Sequence, residues 1–279
     1  MALNTHILAS DADWRVADVV CTSGPHERPF EEQHEAVCIS AVTEGLFQYR
    51  GTQGAAVLAP GALLLGNQRH CFACGHEHSS GDRCVSFHFT PQFMDRVVAS
   101  VPGARQLEFI VPALPPLPDL LPIAVAAEAA RNEGDQVELE ELALRVAGAV
   151  AIVLAGAKKR ARAPSGRDER RIAAALRQIE MHAHEPLSLV ELARTAAMSP
   201  YHFLRTFRAV VGMTPHQFIL HTRMRRAAIR LRRTDDSISA IALDAGFNDL
   251  STFNRRFHHI MTLSPSAYRA AARGWKRRP

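Results

Sequence analysis

The chain has little of what marks the unusual protein classes. Its 16 Gly and 16 Pro in 279 residues exclude a collagen or a low-complexity chain, and 47% apolar with 22% charged residues excludes wholesale disorder. The longest apolar stretch, Val146 to Ala157, is short and mostly of small side chains, whereas a membrane span needs about 20 residues. The opening Met-Ala-Leu-Asn-Thr-His has neither the basic flank nor the long apolar core of a signal peptide. The expectation is a cytoplasmic protein with no membrane partner, its five cysteines reduced. No Ser-His-Asp order, phosphate-binding glycine loop or pair of acids emerges, so the residues name no enzyme. A domain takes roughly 100–200 residues, and this length predicts two.

The net charge of +5 hides a division. Residues 1–157 carry 9 Arg against 19 Asp and Glu, whereas residues 158–279 carry 24 Lys and Arg against 9 Asp and Glu. An acidic half joined to a basic half points to nucleic-acid binding by the basic part, with a solvated basic surface as the plain alternative. All five cysteines lie in the acidic half.

From about Val16 to Phe89 short apolar runs alternate with turns: Val37 to Val42, Leu46 to Arg50, Ala56 to Leu58, Leu63 to Leu65 and Cys84 to Phe89. Strands at such spacing predict a small sandwich or barrel. Prolines from Pro112 to Pro122 predict an irregular segment, followed by helices over Ile123–Arg131 and Val137–Lys158. The second carries Val137, Leu142, Val146, Val150 and Val153, more than a small barrel needs to cover, which predicts that these helices pair two subunits into a homodimer; packing within the chain is the alternative. The predicted units are residues 1–115, 116–158, a linker at 159–167, and 168–279.

The basic half repeats itself. Ser188, Leu192, Ala193 and Met198 recur as Ser237, Ile241, Ala242 and Phe247, and Phe203, Arg205, Phe207 and Thr214-Pro215 recur as Phe253, Arg255, Phe257 and Ser264-Pro265. Ser188 with Glu191 forms a capping box, and Ser199-Pro200, Thr214-Pro215 and Ser264-Pro265 each read as a hydroxyl cap before a first-turn proline. Each copy is a short helix, a turn, and a helix with two aromatics on one face. That is the make-up of a helix-turn-helix unit, here spanning about 188–212 and 237–262. The connector at 215–233 would span about 28 Å at ~1.5 Å per residue, near the ~34 Å between successive major-groove faces.

Residues 168 to 269 resemble the DNA-binding domain of the AraC/XylS family of bacterial transcription regulators, most clearly through Ile241-Ala-Leu-Asp-Ala-Gly-Phe247 and Leu250-Ser-Thr-Phe-Asn-Arg-Arg-Phe257. His258 stands where the family usually has Lys or Arg, and Thr262 where it has Gly. The resemblance implies a promoter-binding regulator that contacts double-stranded DNA through Tyr201, Leu204, Arg205 and Arg208 in the first unit. In the second unit it implies Leu250, Ser251, Asn254 and Arg255. The chemistry agrees, because Arg reads guanine, Asn reads adenine and Leu meets a thymine methyl. RNA polymerase would be a partner of an activator. The implied fold class is α+β and multidomain, because the acidic half resembles the family's cupin-like sensor barrel through Leu58-Ala-Pro-Gly-Ala-Leu-Leu-Leu65.

Within that half lies an unusual string, from His70-Cys71-Phe-Ala-Cys74-Gly-His76-Glu-His78 to Cys84. Cys71 and Cys74 have the gap that suits one tetrahedral zinc, with His76, His78 and Cys84 as further ligands. Thiolate and imidazole favour zinc, or another thiolate-preferring metal, as cofactor. A thiol pair that senses oxidants and ordinary buried cysteines are the alternatives. His34 is a further candidate, and Cys21 and Cys38 read as core. A cupin-type metalloenzyme or an alkyl-transfer repair protein joined to a DNA-binding domain is the runner-up for the whole chain.

Overall fold

Alternation along the strands assigns each face of the N-terminal half to a different neighbour. The computed structural model describes residues 3–25, 27, 29, 31–76, 81–101, 104, 108–133, 136–156 and 165–275. In chain order the strands are β1 (Leu3–Ser10), β2 (Trp14–Cys21), β3 (Glu31–Gln33), β4 (Val37–Gly45), β5 (Phe47–Gly51), β6 (Gly54–Leu58), β7 (Leu63–Gly66), β8 (Cys71–Gly75), β9 (Asp82–Phe89) and β10 (Ala113–Leu114). Helix α1 (Pro91–Ser100) precedes β10, and α2 (Leu121–Glu133) and α3 (Gln136–Gly156) follow it. One sheet runs β1-β2-β9-β4-β7-β10 and the other β3-β8-β5-β6, with antiparallel pairing throughout.

The predicted barrel is therefore two open sheets, because no described strand pair joins one to the other. Val85, Phe87 and Phe89 of β9 and Val37, Ile39 and Ala41 of β4 face the helices, where they bury Phe93, Ile123, Leu142 and Val146. The alternate residues Cys38, Ser40, Cys84, Ser86 and His88 face a cavity between the sheets. Strand β8 lies between the expected runs Leu63 to Leu65 and Cys84 to Phe89, and it, β1 and α1 add to what the sequence predicts.

Helix α2 carries two apolar faces. Ile123, Ala127 and Ala130 pack on the first sheet, whereas Leu121 and Val125 join the core of the second helix-turn-helix unit. Leu142, Val146 and Val150 of α3 lie inside the chain's own core, so the stripe that predicted subunit pairing is mostly spent internally. The side chain of Val137 and residues 157–164, including most of the expected linker, lie outside the described residues.

The basic half is helical: α4 (Gly166–His182), α5 (Leu189–Thr195), α6 (Pro200–Val211), α7 (Pro215–Arg233), α8 (Ile238–Asp244), α9 (Leu250–Met261) and α10 (Pro265–Trp275). Helix α7 begins and ends where the sequence predicts it. Ser188 and Glu191 form the capping box, Ser199 and Thr214 cap α6 and α7 before their prolines, and Ser264 Oγ accepts from Ala267 N. Phe203, Phe207, Phe253 and Phe257 are fully buried, as their spacing requires.

Candidate nucleic-acid interface and the thiol-lined cavity

The phenylalanines fix which way α6 and α9 face. With Phe203 and Phe207 inward, Leu204, Arg205 and Arg208 are exposed. With Phe253 and Phe257 inward, Leu250, Ser251, Asn254 and Arg255 are exposed. The side chain of Tyr201 lies outside the described residues. Asp249 caps α9, accepting from Ser251 N and Thr252 N at 3.0 and 2.8 Å, and the Thr252 hydroxyl together with these backbone bonds holds its carboxyl below the usual range.

The arginines divide by position. Arg223 bonds the carbonyls of Ala183, Glu185 and Gly246. Arg225 pairs with Glu128 at 3.0 Å and Glu180 at 3.2 Å, and Arg230 with Asp244 and Asp236 at 2.5 and 2.6 Å. Arg269 bonds the Asp236 carbonyl. By contrast Arg205, Arg208 and Arg255, with Asn254, have no hydrogen-bond or ion-pair partner among the described residues. Arg223, Arg225 and Arg230 of α7 and Arg269 of α10 hold the fold, whereas those on the outer faces of α6 and α9, like Arg233 at the end of α7, are left to meet something else.

Residues 192–271 match a family described as a helix-turn-helix domain. This stretch of the C-terminal half is thus a helix-turn-helix domain. Over 92 residues the chain is 37% identical to the MmsAB operon regulatory protein of Pseudomonas aeruginosa, which covers 33% of this chain and 30% of that protein. An uncharacterized HTH-type transcriptional regulator of Staphylococcus aureus is 38% identical over 91 residues, 33% of this chain and 12% of its own length. The chain thus spans less than a third of the curated relatives it matches. Among solved structures, the DNA-binding domain of AdpA in complex with a target DNA is 30% identical, with a TM-score of 0.37 over 39% of this chain and 98% of that one. A transcriptional regulator from Chromobacterium violaceum is 26% identical, with a TM-score of 0.36 over 39% of this chain and 96% of that one.

The helix-turn-helix domain uses unlike residues at equivalent turns. Gly246 adopts φ +84° in the second unit, and Ala197 adopts φ +51° at the same place in the first. Past the second helix of each unit the pattern reverses, with Gly212 at φ +86° and Thr262 at φ +63°. The left-handed turn before Ser264 forms although Thr262 occupies the glycine position.

In the N-terminal half the strand pairing rearranges the expected ligand set. Cys71 and Cys74 are three residues apart on β8. Side chains alternate on a strand, so the two sulfurs point to opposite faces and the predicted two-cysteine clasp does not form. Cys71 turns toward Glu31, whose hydrogen bond raises its pKa, whereas Cys74 lines the cavity with Cys84. His76 is buried and His78 lies outside the described residues. The alkyl-transfer alternative, which needs Cys71 and Cys74 together, loses its geometric basis.

The cavity, of about 410 Å³, is lined by Arg15, Cys21, His34, Cys38, Asp82 and His88 among others. Burial lowers His34 and His88 to about 4, lifts Cys38 to about 11, and pushes Cys74 and Cys84 well upward. His34 is hydrogen-bonded to the Tyr49 hydroxyl at 2.9 Å and stacks on Phe72. Sequence reasoning missed Cys21 and Asp82 as site residues. They are 61 positions apart, and only the β2–β9 register, which sets them directly opposite, brings them together.

Proposed function

We propose that this chain is a sequence-specific, DNA-binding transcriptional regulator whose two helix-turn-helix units read consecutive major grooves of promoter DNA. The observation that carries it is the division of the arginines: Arg205, Arg208 and Arg255 stand exposed without a hydrogen-bond or ion-pair partner among the described residues, while Arg223, Arg225, Arg230 and Arg269 are tied down inside the fold. Arg205 and Arg255 would read base edges, Arg208 the phosphates, and Leu204, Leu250 and Ser251 the remaining base positions, with Tyr201 joining the first unit. The two-sheet half acts as the sensing module, in contact with the reader through α2. The protein works in the cytoplasm, where promoter DNA lies, and RNA polymerase is its partner if it activates. Leu144 and Ile152 of α3 stay exposed two turns apart, with Gly148 between them. That narrower stripe supports pairing with a second copy.

The test is selection of binding sites from random duplex DNA by the full chain, followed by affinities across a salt series. Arg205→Ala or Arg255→Ala is expected to cost roughly 1–3 kcal/mol on the selected site and to relax one position. Arg208→Ala is expected to weaken all duplexes alike and to flatten the salt slope by about 1. Equal loss on selected and random DNA for all three variants defeats the reading.

A further inference from the structure

Where Cys21 and Asp82 line one end of the cavity, a third donor, His76, stands beside them. Cys21 ends β2, Asp82 begins β9 directly opposite it, and His76 follows β8. The Cys21 sulfur, an imidazole nitrogen of His76 and a carboxylate oxygen of Asp82 lie within 4.8 Å of one another. His76 Nε2 donates to Asp82 Oδ1 at 2.5 Å, and Cys84 Sγ is 3.5 Å from Asp82 Oδ2. Cys21 and His76 are 6% and 3% exposed.

We propose that Cys21, His76, Asp82 and Cys84 form a site for a thiol- and imidazole-preferring divalent cation, with zinc as its probe. One soft thiolate, one imidazole and one carboxylate already converge, and Cys84 is the nearest further thiol for a fourth corner. Around zinc, bonds of about 2.0–2.3 Å place neighbouring donors roughly 3.3–3.8 Å apart. Binding therefore opens the His76–Asp82 hydrogen bond by under an ångström, and the sulfur of Cys21, already within 4.8 Å of the other two donors, needs to close in by no more than about 1.5 Å. The imidazole stays neutral by carrying its proton on Nδ1 instead of Nε2, and the two thiols leave their protons to solvent, so the four-donor site carries three negative charges against the cation's two positive ones. Cys71, on the outer face of β8, has no part in it.

The position gives the cation something to act on. Asp82 also pairs across β4 with Gly45, where an added Cβ would meet the Gly81 carbonyl oxygen at 2.4 Å. Two residues along β4, the Thr43 carbonyl accepts from Arg225 of α7. A cation fixing the ends of β2 and β9 thus grips the part of the sheet that touches the DNA-binding half.

The experiment is titration of the full chain with Zn²⁺ and Co²⁺, in wild type and in Cys71→Ser, Cys21→Ser, Cys84→Ser and Asp82→Asn variants. Expected is one equivalent at micromolar metal or tighter in wild type and in Cys71→Ser, with tetrahedral cobalt bands and thiolate charge transfer. Cys21→Ser and Cys84→Ser should each lose part of that charge transfer. Asp82→Asn, which keeps size and hydrogen-bonding capacity and so guards against simple misfolding, should weaken zinc at least about 100-fold, beyond the loss of an outer partner. Less than one equivalent in wild type overturns the site, as does a Cys71→Ser loss matching that of Cys21→Ser. DNA binding by the same samples reads the regulator proposal separately, so protein that binds duplex DNA but no metal overturns this inference alone.

Discussion

Arg225 is the joint between the halves, and its removal tests how they are coupled. Its guanidinium is 6% exposed and bridges Glu128 on α2 to Glu180 on α4, while also reaching the Thr43 carbonyl at 3.4 Å. Breaking a buried ion pair from one side costs about 3–5 kcal/mol, because the surviving charge stays desolvated. Glu180 retains Arg226 at 3.4 Å, so Glu128 is the carboxylate left alone. The low end, about 3 kcal/mol, is therefore expected for Arg225→Met, which keeps the buried stem. At this chain size that lowers Tm by roughly 6–12 °C. Adding Glu128→Gln should restore much of the loss, since the stranded charge goes with it, and denaturant midpoints across the four-member cycle measure the coupling. An Arg225→Met loss under about 1 kcal/mol would be the behaviour of a solvated surface pair, and it would refute the buried joint. So would a double variant no better than the sum of the singles.

The turns of the repeat supply two further predictions. Gly246→Ala should cost about 3 kcal/mol and abolish DNA binding, because the new Cβ would lie 2.3 Å from the His184 carbonyl oxygen at φ +84°; wild-type thermal stability and affinity would contradict this. Thr262→Gly should stabilise by about 0.5–1 kcal/mol, since relief of left-handed strain exceeds the added freedom of the unfolded chain; a lower denaturant midpoint would show that Thr262 is not strained. The cavity histidines make the third prediction. His34 and His88 are depressed from 6.5 to about 4 by burial, so between those pH values the unfolded chain binds protons that the folded one refuses. Stability is full above pH 6.5 and drains as pH falls toward 4, by at most about 3 kcal/mol per histidine. His88→Gln should flatten part of that slope in denaturant titrations at pH 7 and pH 5, and an unchanged slope would remove His88 from the account.

Legibility followed the range of the interactions. The basic half was readable because its signals are local: a hydroxyl cap, a proline one residue on, aromatics four apart, and the whole pattern written twice. Those features set α5 to α10 with almost no reference to distant residues, and they also fix which face of α6 and α9 is left outward. The acidic half yielded its central strands, since Val37, Ile39 and Ala41 of β4 and Val85, Phe87 and Phe89 of β9 recur at every second position, the period of a strand. It did not yield β8, whose Cys71-Phe-Ala-Cys74 looks like a metal knuckle until pairing with β3 and β5 extends it and parts the two sulfurs. Nor could spacing reveal Cys21 beside Asp82, because strand register is a long-range property that a one-residue slip would reverse. The double role of α2 was hidden for the same reason. The expected helix begins at Ile123, whereas α2 begins at Leu121, and Leu121 and Val125 complete the core of the second reader. A chain that shares one helix between two cores, and sets Leu46, Val57 and Ala59 of its sheets into the core of the first reader, couples the halves through packing, and the Thr43 carbonyl with Arg225 gives a change at the end of β4 a direct polar route across.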